Sequence, residues 1–535
     1  MPARGWAIAL LLLPVFAAQA EKAAPAAAPS FFPAPEKPAM PAPAEKPEEK
    51  PKKDAPPATL TVDQALEKLD LRHRIAQLML VTLGGEIKPN VEDQRYLQQY
   101  TPGGVIVRQS SLPTLAQAYV DYVRGAEMLR GLPILVGCDL YALARADRGL
   151  PSQFVELPSL LSLAAARDSG ATEHFTHLLA EHLRGMGFDF SFGPSLELAP
   201  TLRGAKPTIY TFGSSPAFAA ESAEAFVKAL KEAGVVPVPP GFPGGGANRR
   251  AKEHPVLLTE KADLLTHDAL PYARAIAAGA PIVHVGNTSV PELDISGAPA
   301  SISHAVIQQF LRDTMHFDGL VIAGPLDGEE VASKFDVAEA AQRALLAGAD
   351  LLYTVTPLST AARVVDKLTT AVEQGDIPRD MIDRAARRVL AFKIARVLDR
   401  VEAKAEPGSE KQAKKLEGKK ALAEEAYAVE RKAITLIKND GGVLPLTREH
   451  SAPAGITGVV GTDVLKDLLK KPLKEVAEQP IGTARHLGEI QDFELDRLTK
   501  HSQGLKTAVV VLTDALRTAG EKRLIQGLKA NGAKV

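Results

Sequence analysis

A helix and a strand follow each other directly in SISHAVIQQFLRDTMHFDGLVIAG, residues 301–324. Over Ser303–Met315 the apolar residues recur every three to four positions, which is the pattern of a helix with one buried face. Leu320–Ile322 is a short and wholly apolar run, which favours a strand buried on both faces. An amphipathic helix that leads into a buried strand is the repeating unit of a parallel sheet covered by helices.

The same unit recurs on both sides of this stretch. The other strand-like runs are Leu78–Val81, Val105–Val107, Ile134–Cys138, Phe190–Phe192, Val235–Val238, Ile282–Val285 and Leu351–Val355. The other helical patterns are Leu115–Leu129, Thr172–Met186, Ala217–Ala233, His267–Ala278 and Val337–Ala347. Eight alternations predict an α/β fold, a (β/α)8 TIM-type barrel over residues 59–398, with an open doubly wound sheet as the alternative.

The segments before the barrel have the composition of targeting and linker sequences. Residues 1–20 carry Arg4, an apolar run and a small-residue cleavage site, Ala18-Gln19-Ala20, which predicts a cleaved secretory signal peptide. An uncleaved anchor is the alternative, and lipoprotein anchoring is excluded because no cysteine follows the site. Residues 21–57 are rich in Pro, Ala, Lys and Glu, which predicts a disordered linker. The protein is therefore expected to be secreted or periplasmic, with no transmembrane segment in its mature form.

Two further segments follow the barrel. Residues 399–450 are predicted to form a charged linker or helix and an entry segment. Residues 451–535 contain two strand-like runs, Ile456–Gly461 and Ala508–Leu512, each followed by a helical pattern. They predict a short α/β domain, sandwich-like and naturally small or truncated.

Charge and cysteine content exclude several classes of function. The 63 Lys and Arg balance the 64 Asp and Glu, so no general attraction to nucleic acid is expected. The single cysteine, Cys138, excludes an intramolecular disulfide and a cysteine-based metal cluster. Because Cys138 ends an apolar strand without an evident basic partner, it is interpreted as a buried residue rather than a nucleophile. No metal or cofactor is expected.

Barrels of this type carry their chemistry where strands end and the following loops begin. Polar candidates follow several of the predicted strands: Asp139 after the third, Glu197 after the fourth, His254 in the loop after the fifth, Asn287 after the sixth, and Asp327, Glu329 and Glu330 after the seventh.

Several ordered segments of the chain resemble glycoside hydrolase family 3, in particular its bacterial β-N-acetylglucosaminidase branch. They include LPILVGCD (132–139), TFGSSP (211–216), EAGVVPVPPGFPGGG (232–246) and the block that ends in LVIAG at residue 324. The resemblance implies the barrel fold and retaining hydrolysis of glycosidic bonds. In that reaction a carboxylate attacks the anomeric carbon while a second group protonates the leaving oxygen.

The chain departs from the family pattern at the positions that carry this chemistry. The family nucleophile is an aspartate directly after strand seven, where this sequence has Gly324. Pro240-Gly241 replaces a sugar-binding Lys-His pair, and Asn287 replaces a histidine. His254 matches the family's acid/base histidine, but Lys252 replaces its aspartate partner. The resemblance therefore implies the fold more strongly than the reaction.

Two interpretations stay open for each candidate residue. As relocated catalytic groups, the sequence offers His254, Asp327 and Glu329; as substrate-binding residues it offers Asp139, Glu197 and Asn287. Alternatively Asp327 and the two glutamates begin the next helix, where acidic residues are favoured. Asp139 could equally fasten a loop, Glu197 could cap one, and His254 could be an exposed loop residue.

Three functional hypotheses follow. The first is a catalytically silent family member that binds glycan or a cell-wall partner. The second is an active β-glycosidase of the β-N-acetylglucosaminidase or β-glucosidase type with relocated carboxylates. The third is a structural or interaction module. The first is preferred because function depends on the site rather than on the fold.

Overall fold

The computed structural model of the chain describes most of residues 61–458 and parts of the remainder. The described residues are 61–84, 90–107, 122–123, 131–139, 157–199, 209–245, 254–355, 357–402, 408–436, 439, 444–458, 466, 469–470, 473, 476–478, 497, 500, 503–511, 519–531 and 534–535. The predicted signal peptide and linker lie outside them, as does most of the predicted helix Leu115–Leu129. The chain divides into two compact units, residues 61–438 and 439–535 among the described part.

The first unit is built around eight parallel strands. They are β1 (Met79–Thr82), β2 (Gly104–Val107), β3 (Leu135–Asp139), β4 (Phe190–Phe192), β5 (Val236–Val238), β6 (Ile282–Val285), β7 (Leu320–Ala323) and β8 (Leu351–Thr354). Their order is β5-β4-β3-β2-β1-β8-β7-β6. The ring is completed just beyond β5, where His284 N–H donates to Pro239 O (3.1 Å) and Phe242 N–H donates to His284 O (3.0 Å). The predicted barrel is therefore confirmed, and the open-sheet alternative is wrong.

Helices cover the outside of the ring, and several of them begin directly after a side chain that caps the helix N-terminus. In the segment TFGSSP, for example, Ser215 caps a helix through its Oγ while Pro216 takes the first helical position. The helices of this unit are α1 (Val62–Glu67), α2 (Leu71–Ala76), α3 (Val91–Tyr100), α4 (Leu160–Ala166), α5 (Ser169–Gly185), α6 (Pro216–Glu232), α7 (Leu270–Ala277), α8 (Glu329–Ala332), α9 (Val337–Leu346), α10 (Leu358–Gln374), α11 (Arg379–Glu402) and α12 (Gly408–Ala433).

The helix predicted over Ser303–Met315 is present but has a different winding. Ala305–Thr314 forms a π-helix, preceded by a single 3-10 turn at Ala300–Ile302. Its buried side chains are Val306, Ile307, Phe310 and Leu311. Their spacing of four residues fits either winding over so few turns, so the apolar pattern alone predicts an ordinary helix.

Buried ionic groups fasten the N-terminal ends of the strands. The Asp350 carboxylate, directly before β8, accepts from Val321 N–H (2.9 Å), Arg312 Nη2 (2.7 Å) and Arg388 Nε (2.8 Å). Asp189, directly before β4, accepts in the same way from Val136 N–H of β3 (2.8 Å). Each aspartate thus ties the start of its own strand to the neighbouring strand.

The buried Lys393 of α11 also binds this end of the barrel. Its Nζ donates to Gln77 Oε1 (2.6 Å), directly before β1, and to Pro102 O (3.3 Å), before β2. A fully buried ammonium is costly unless its hydrogen bonds are satisfied, and these acceptors provide them.

The charged segment after the barrel is a helix that packs against it. In α12 the residues Leu422, Ala426 and Val429 are buried. Lys432 Nζ lies 2.7 Å from the Asp168 carboxylate, which caps α5. The predicted charged helix is therefore part of the first unit, whose boundary falls at residue 438.

The second unit contains three parallel strands in the order β10-β9-β11. They are β9 (Ala454–Gly458), β10 (Val476–Glu478) and β11 (Thr507–Val511), with the helices α13 (Arg448–Ser451) and α14 (Ala519–Ala530). β11 lies within one residue of a predicted run, and β9 overlaps the other predicted run at residues 456–458, while residues 459–461 lie outside the described part of the chain. β10, only three residues long, has too weak a pattern to be recognised. Among the helices of the described residues, none is long and apolar enough to cross a membrane.

Candidate functional site

The candidate site is the mouth of the barrel, meaning the residues that directly follow the C-terminal ends of the eight strands. At the end of β7 the backbone turns at Gly324, whose φ is +136°. A Cβ atom at this position would lie 2.7 Å from Tyr353 O and 2.8 Å from Leu326 N. Leu326 N–H donates to Tyr353 O (2.9 Å), so both obstructing atoms belong to one hydrogen-bonded backbone contact. The position therefore requires glycine for its conformation and for its lack of volume.

The carboxylate of Asp327 is engaged by the neighbouring strand end. Its two oxygens lie 3.0 and 2.9 Å from Val355 N, the residue after β8. Glu329 and Glu330 occupy the first turn of α8, after Gly328 at the N-cap. The prediction that the glutamates begin a helix is confirmed, while Asp327 precedes that helix and binds the end of β8 instead.

Asn287 joins the loops after β6 and β7. Its Nδ2 donates to Pro325 O (2.8 Å), and its Oδ1 accepts from Ser301 Oγ (2.7 Å). The amide is thereby held in one orientation by protein groups. Two of the residues named from sequence, Asn287 and Asp327, thus both contribute to the backbone arrangement around Gly324.

Glu197 lies against the turn after β5. Its Oε1 is 2.8 Å from the position that a Cβ of Gly241 would take, and Gly241 has φ of +82°. Tyr272 donates its hydroxyl to Pro240 O (2.9 Å) in the same turn. Burial raises the pKa of Tyr272 well above its ordinary value, and the charges of Glu197 and Asp268 raise it further. Tyr272 is therefore a permanent hydrogen-bond donor here.

Asp139 and His254 are both exposed. Asp139 ends β3, where it is in register with Phe192 of β4. His254 follows a segment, residues 246–253, that lies outside the described part of the chain, as do its sequence neighbours Lys252 and Glu253. Next to Asp139, Cys138 is buried, and burial raises the pKa of its thiol to about 12. Cys138 is thus a buried residue, as expected from the sequence, and not a thiolate nucleophile.

His284, which is not among the residues predicted from the sequence, lies inside the barrel on β6. Its Nδ1 accepts from Gly241 N–H (3.1 Å), so the proton is on Nε2, which donates to Gly324 O (2.8 Å). The ring is 7% exposed. It packs edge-on against Phe192 of β4 and Tyr353 of β8, with ring centroids 5.1 and 6.1 Å away. The sequence signal that could have identified His284 is a histidine within the otherwise apolar run Ile282–Val285.

The pair His267 and Asp268, in the segment that leads into α7, is also not among the residues predicted from the sequence. The Asp268 carboxylate, which is 3% exposed, accepts from His267 Nδ1 (2.7 Å) and Thr259 Oγ1 (2.6 Å). The His267 side chain is half-exposed. Among the described residues no group of three or more His, Cys, Asp or Glu is arranged to hold a metal ion.

Burial makes the stability of the barrel sensitive to acid through His284. Desolvation lowers the pKa of His284 from 6.5 to about 4, against the opposing influence of its hydrogen bond to Gly324. The unfolded chain therefore takes up this proton first as the pH falls. We expect the stabilisation to be complete above pH 6.5 and lost between pH 6.5 and about 4, a change of about 3 kcal/mol in the free energy of unfolding.

Denaturant unfolding of the wild type and of His284→Met at several pH values measures this contribution. Because all other titrating groups are shared, the difference between the two proteins isolates His284. The variant should lose less stability than the wild type on acidification. Parallel pH profiles for the two proteins would show that His284 is not held neutral by the fold.

Comparisons with known proteins agree with the barrel described above. The family model for the glycosyl hydrolase family 3 N-terminal domain matches residues 70–392. Beta-hexosaminidase LpqI of Mycobacterium tuberculosis is 29% identical over 337 residues, which cover 61% of this chain and 83% of that protein. Beta-N-acetylglucosaminidase/beta-glucosidase of Cellulomonas fimi is 26% identical over 380 residues, which cover 67% of this chain and 64% of that protein.

Solved structures share this fold. A family 3 β-N-acetylglucosaminidase from Paenibacillus sp. FPU-7 superposes with a TM-score of 0.71 at 24% identity, covering 87% of this chain and 89% of that chain. Mycobacterium tuberculosis LpqI superposes with a TM-score of 0.52 at 26% identity, covering 63% and 97%. The family match extends over more than half of the sequence and confirms the resemblance inferred from its motifs. The chain therefore belongs to glycosyl hydrolase family 3.

Proposed function

We propose that this family member binds a β-linked glycan at the mouth of the barrel without hydrolysing it by the retaining route. The observation that carries the proposal is the environment of Gly324. Retaining hydrolysis requires a carboxylate that forms a glycosyl-enzyme ester. At the end of β7 the side-chain volume of such a carboxylate is taken by Tyr353 O and Leu326 N.

The relocated carboxylates of the alternative hypothesis have little support in the contacts around them. Asp327 is directed to Val355 N–H, and Glu329 is exposed in the first turn of a helix. A carboxylate whose two oxygens share the Val355 N–H would have to give up this contact to attack a sugar. The account of an active β-glycosidase therefore needs a rearrangement of the turn after β7.

Carbohydrate remains the favoured ligand class for two reasons. The names of similar proteins, a beta-hexosaminidase and a beta-N-acetylglucosaminidase/beta-glucosidase, point to β-linked glucose and amino sugars. Asp139 also supplies an exposed carboxylate at the C-terminal end of β3. A carboxylate can accept hydrogen bonds from two sugar hydroxyls.

Two assays on the purified protein test the proposal together. Aryl β-N-acetylglucosaminide and aryl β-glucoside report turnover, while calorimetric titration with N-acetylglucosamine oligomers and peptidoglycan fragments reports binding. We expect binding without turnover. Turnover that Asp327→Asn or Glu329→Gln abolishes would establish the active hypothesis instead, and the lack of both binding and turnover would leave the structural module.

Asp139 provides the variant that tests where the glycan binds. We expect Asp139→Asn to weaken binding of the tightest oligomer about tenfold, since a hydrogen bond to a charged group contributes more than one to a neutral group. The control is Glu339→Gln, which alters an exposed carboxylate on α9 at the outside of the barrel. Equal affinities for the two variants would mean that Asp139 does not contact the ligand.

Export is part of the same proposal. It rests on the signal-peptide pattern of residues 1–20, followed by the Pro-rich linker to residue 57. Expression in a bacterium with analysis of cell fractions tests it. The expected mature protein begins at Glu21 and is found outside the cytoplasm, whereas an intact N-terminus in the cytoplasmic fraction would overturn it.

A further inference from the structure

We propose that His284 is a positioning residue that couples the turn after β5 to the turn after β7, so that the two sides of the mouth hold or lose their arrangement together. The inference goes beyond the proposed function, because it concerns how the mouth is held and not what occupies it.

In the turn after β5, the backbone N–H of Gly241 donates to a side chain and not to a neighbouring strand. Beyond Val238 the chain has two consecutive prolines, Pro239 and Pro240, which carry no N–H group. The next donor, Gly241 N–H, points at His284 Nδ1 at 3.1 Å. Gly241 is half-buried, and a backbone N–H that is shielded from water is costly to leave unpaired, so the imidazole stabilises this turn.

The turn after β7 depends on the same ring. Its Nε2–H donates to Gly324 O at 2.8 Å. On the far side of that turn Asn287 Nδ2 donates to Pro325 O. Gly324 N–H is itself bonded to Val285 O (3.1 Å), which ties the turn back to β6 beside His284. One side chain on β6 thus bridges two segments more than 80 residues apart in the sequence.

Only the neutral tautomer with its proton on Nε2 satisfies both contacts. Rotation of the ring would exchange donor and acceptor, and the ring is confined by Phe192 and Tyr353. Movement of either turn therefore removes the ring from the position that the other turn needs. This is the physical basis of the coupling.

Protonation has the same effect as movement. A second proton would be on Nδ1, opposite Gly241 N–H, so two donors would face each other. The ring packs against the titratable Tyr353 phenol on β8, and the Glu197 carboxylate lies against Gly241, the residue whose N–H faces the ring. Phe192, Phe242 and Gly324 contribute no titratable side chain. Burial holds the pKa of His284 at about 4, so the coupling persists down to mildly acidic pH.

Two substitutions each remove one of the two hydrogen bonds of His284, and a third removes both. An asparagine amide superposes on Nδ1 of a histidine, so His284→Asn keeps an acceptor for Gly241 and loses the donor to Gly324. A glutamine amide superposes on Nε2, so His284→Gln keeps that donor and loses the acceptor. His284→Met removes both bonds while filling a similar volume.

The protein is labelled with ¹⁵N-glycine, and the exchange of its amide hydrogens is followed by NMR in the absence of sugar. The label reports on both turns, because Gly241 lies in the turn after β5 and Gly324 in the turn after β7. Rates are expressed relative to Gly348, whose N–H bonds Leu345 O before β8, so that a general loss of stability cancels. We expect each of the three variants to raise the relative rates at both Gly241 and Gly324 about tenfold. The wild type should approach this behaviour near pH 4.

Two results would overturn the inference. One is that His284→Asn affects only Gly324 while His284→Gln affects only Gly241, which would make the turns independent. The other is that His284→Met leaves both relative rates unchanged. Since no glycan is present, either result is distinguishable from a failure of the proposed function.

Discussion

Gly324→Asp is expected to destabilise the barrel by about 3 kcal/mol and to yield no glycosidase activity. Part of the cost arises because an L side chain is strained at φ of +136°. The rest arises because its Cβ would lie 2.7 Å from Tyr353 O and 2.8 Å from Leu326 N, two backbone atoms that cannot move independently. Placing the missing carboxylate at this position thus disrupts the turn that would have to present it.

Gly213→Asp is the matched control for this substitution. Gly213 also has a positive φ, +100°, but no heavy atom lies within 4 Å of its Cβ position. The Gly213→Asp variant should be destabilised only by the unfavourable backbone conformation, which lowers the free energy of unfolding by about 1 to 2 kcal/mol. Chemical denaturation of both variants measures the difference. A Gly324→Asp protein that is as stable as Gly213→Asp, and hydrolyses aryl β-glycosides, would mean that the turn readily accepts a nucleophile.

Asp350→Ala is expected to have the largest effect on stability, a loss of about 3 to 5 kcal/mol. Asp350 is 4% exposed and accepts hydrogen bonds from Arg312, Arg388 and Val321 N–H. Its removal leaves Arg312 without its carboxylate partner while that side chain is still mostly buried. An unpaired buried charge costs far more than the net contribution of the pair.

The control for Asp350 is an exposed ion pair on the same barrel. Glu339 and Arg343 of α9 lie 2.9 Å apart, and both side chains are about half exposed. Glu339→Ala should cost less than about 0.5 kcal/mol, because exposed pairs are screened by water. The denaturation midpoints of the two variants measure the difference between these losses of stability. Losses of equal size would show that the Asp350 cluster is not a buried network.

The barrel could be predicted from sequence because its strands are short and consist almost entirely of apolar residues. Each of the eight strands lies within one residue of its predicted bounds at either end. Segments with weaker patterns were less informative. The three-residue strand Val476–Glu478 was missed, and the apolar spacing over Ala305–Thr314 could not distinguish a π-helix from an ordinary helix.

The candidate site was predictable in position but not in contacts. Sequence order is sufficient to place Asp139, Glu197, Asn287 and Asp327 after their strands, because parallel strands bring their C-terminal ends together. The partners of these groups are distant in sequence. Val355 is 28 residues from Asp327, and Gly324 is 40 residues from His284. The obstruction that a side chain at position 324 would meet depends on Tyr353 of the neighbouring strand, which no local pattern reveals.

The most direct test of the missing nucleophile is a search for the covalent intermediate itself. The protein is incubated with activated fluorinated analogues of a β-glucoside and a β-N-acetylglucosaminide, which leave a long-lived sugar ester on the nucleophile of a retaining enzyme. Intact-protein mass spectrometry then reads the product. The expected result is an unchanged mass, with Gly324 offering no oxygen for the ester. A mass increase of one fluorinated sugar, mapped to Asp327, Glu329 or Glu330, would contradict the proposed loss of retaining hydrolysis.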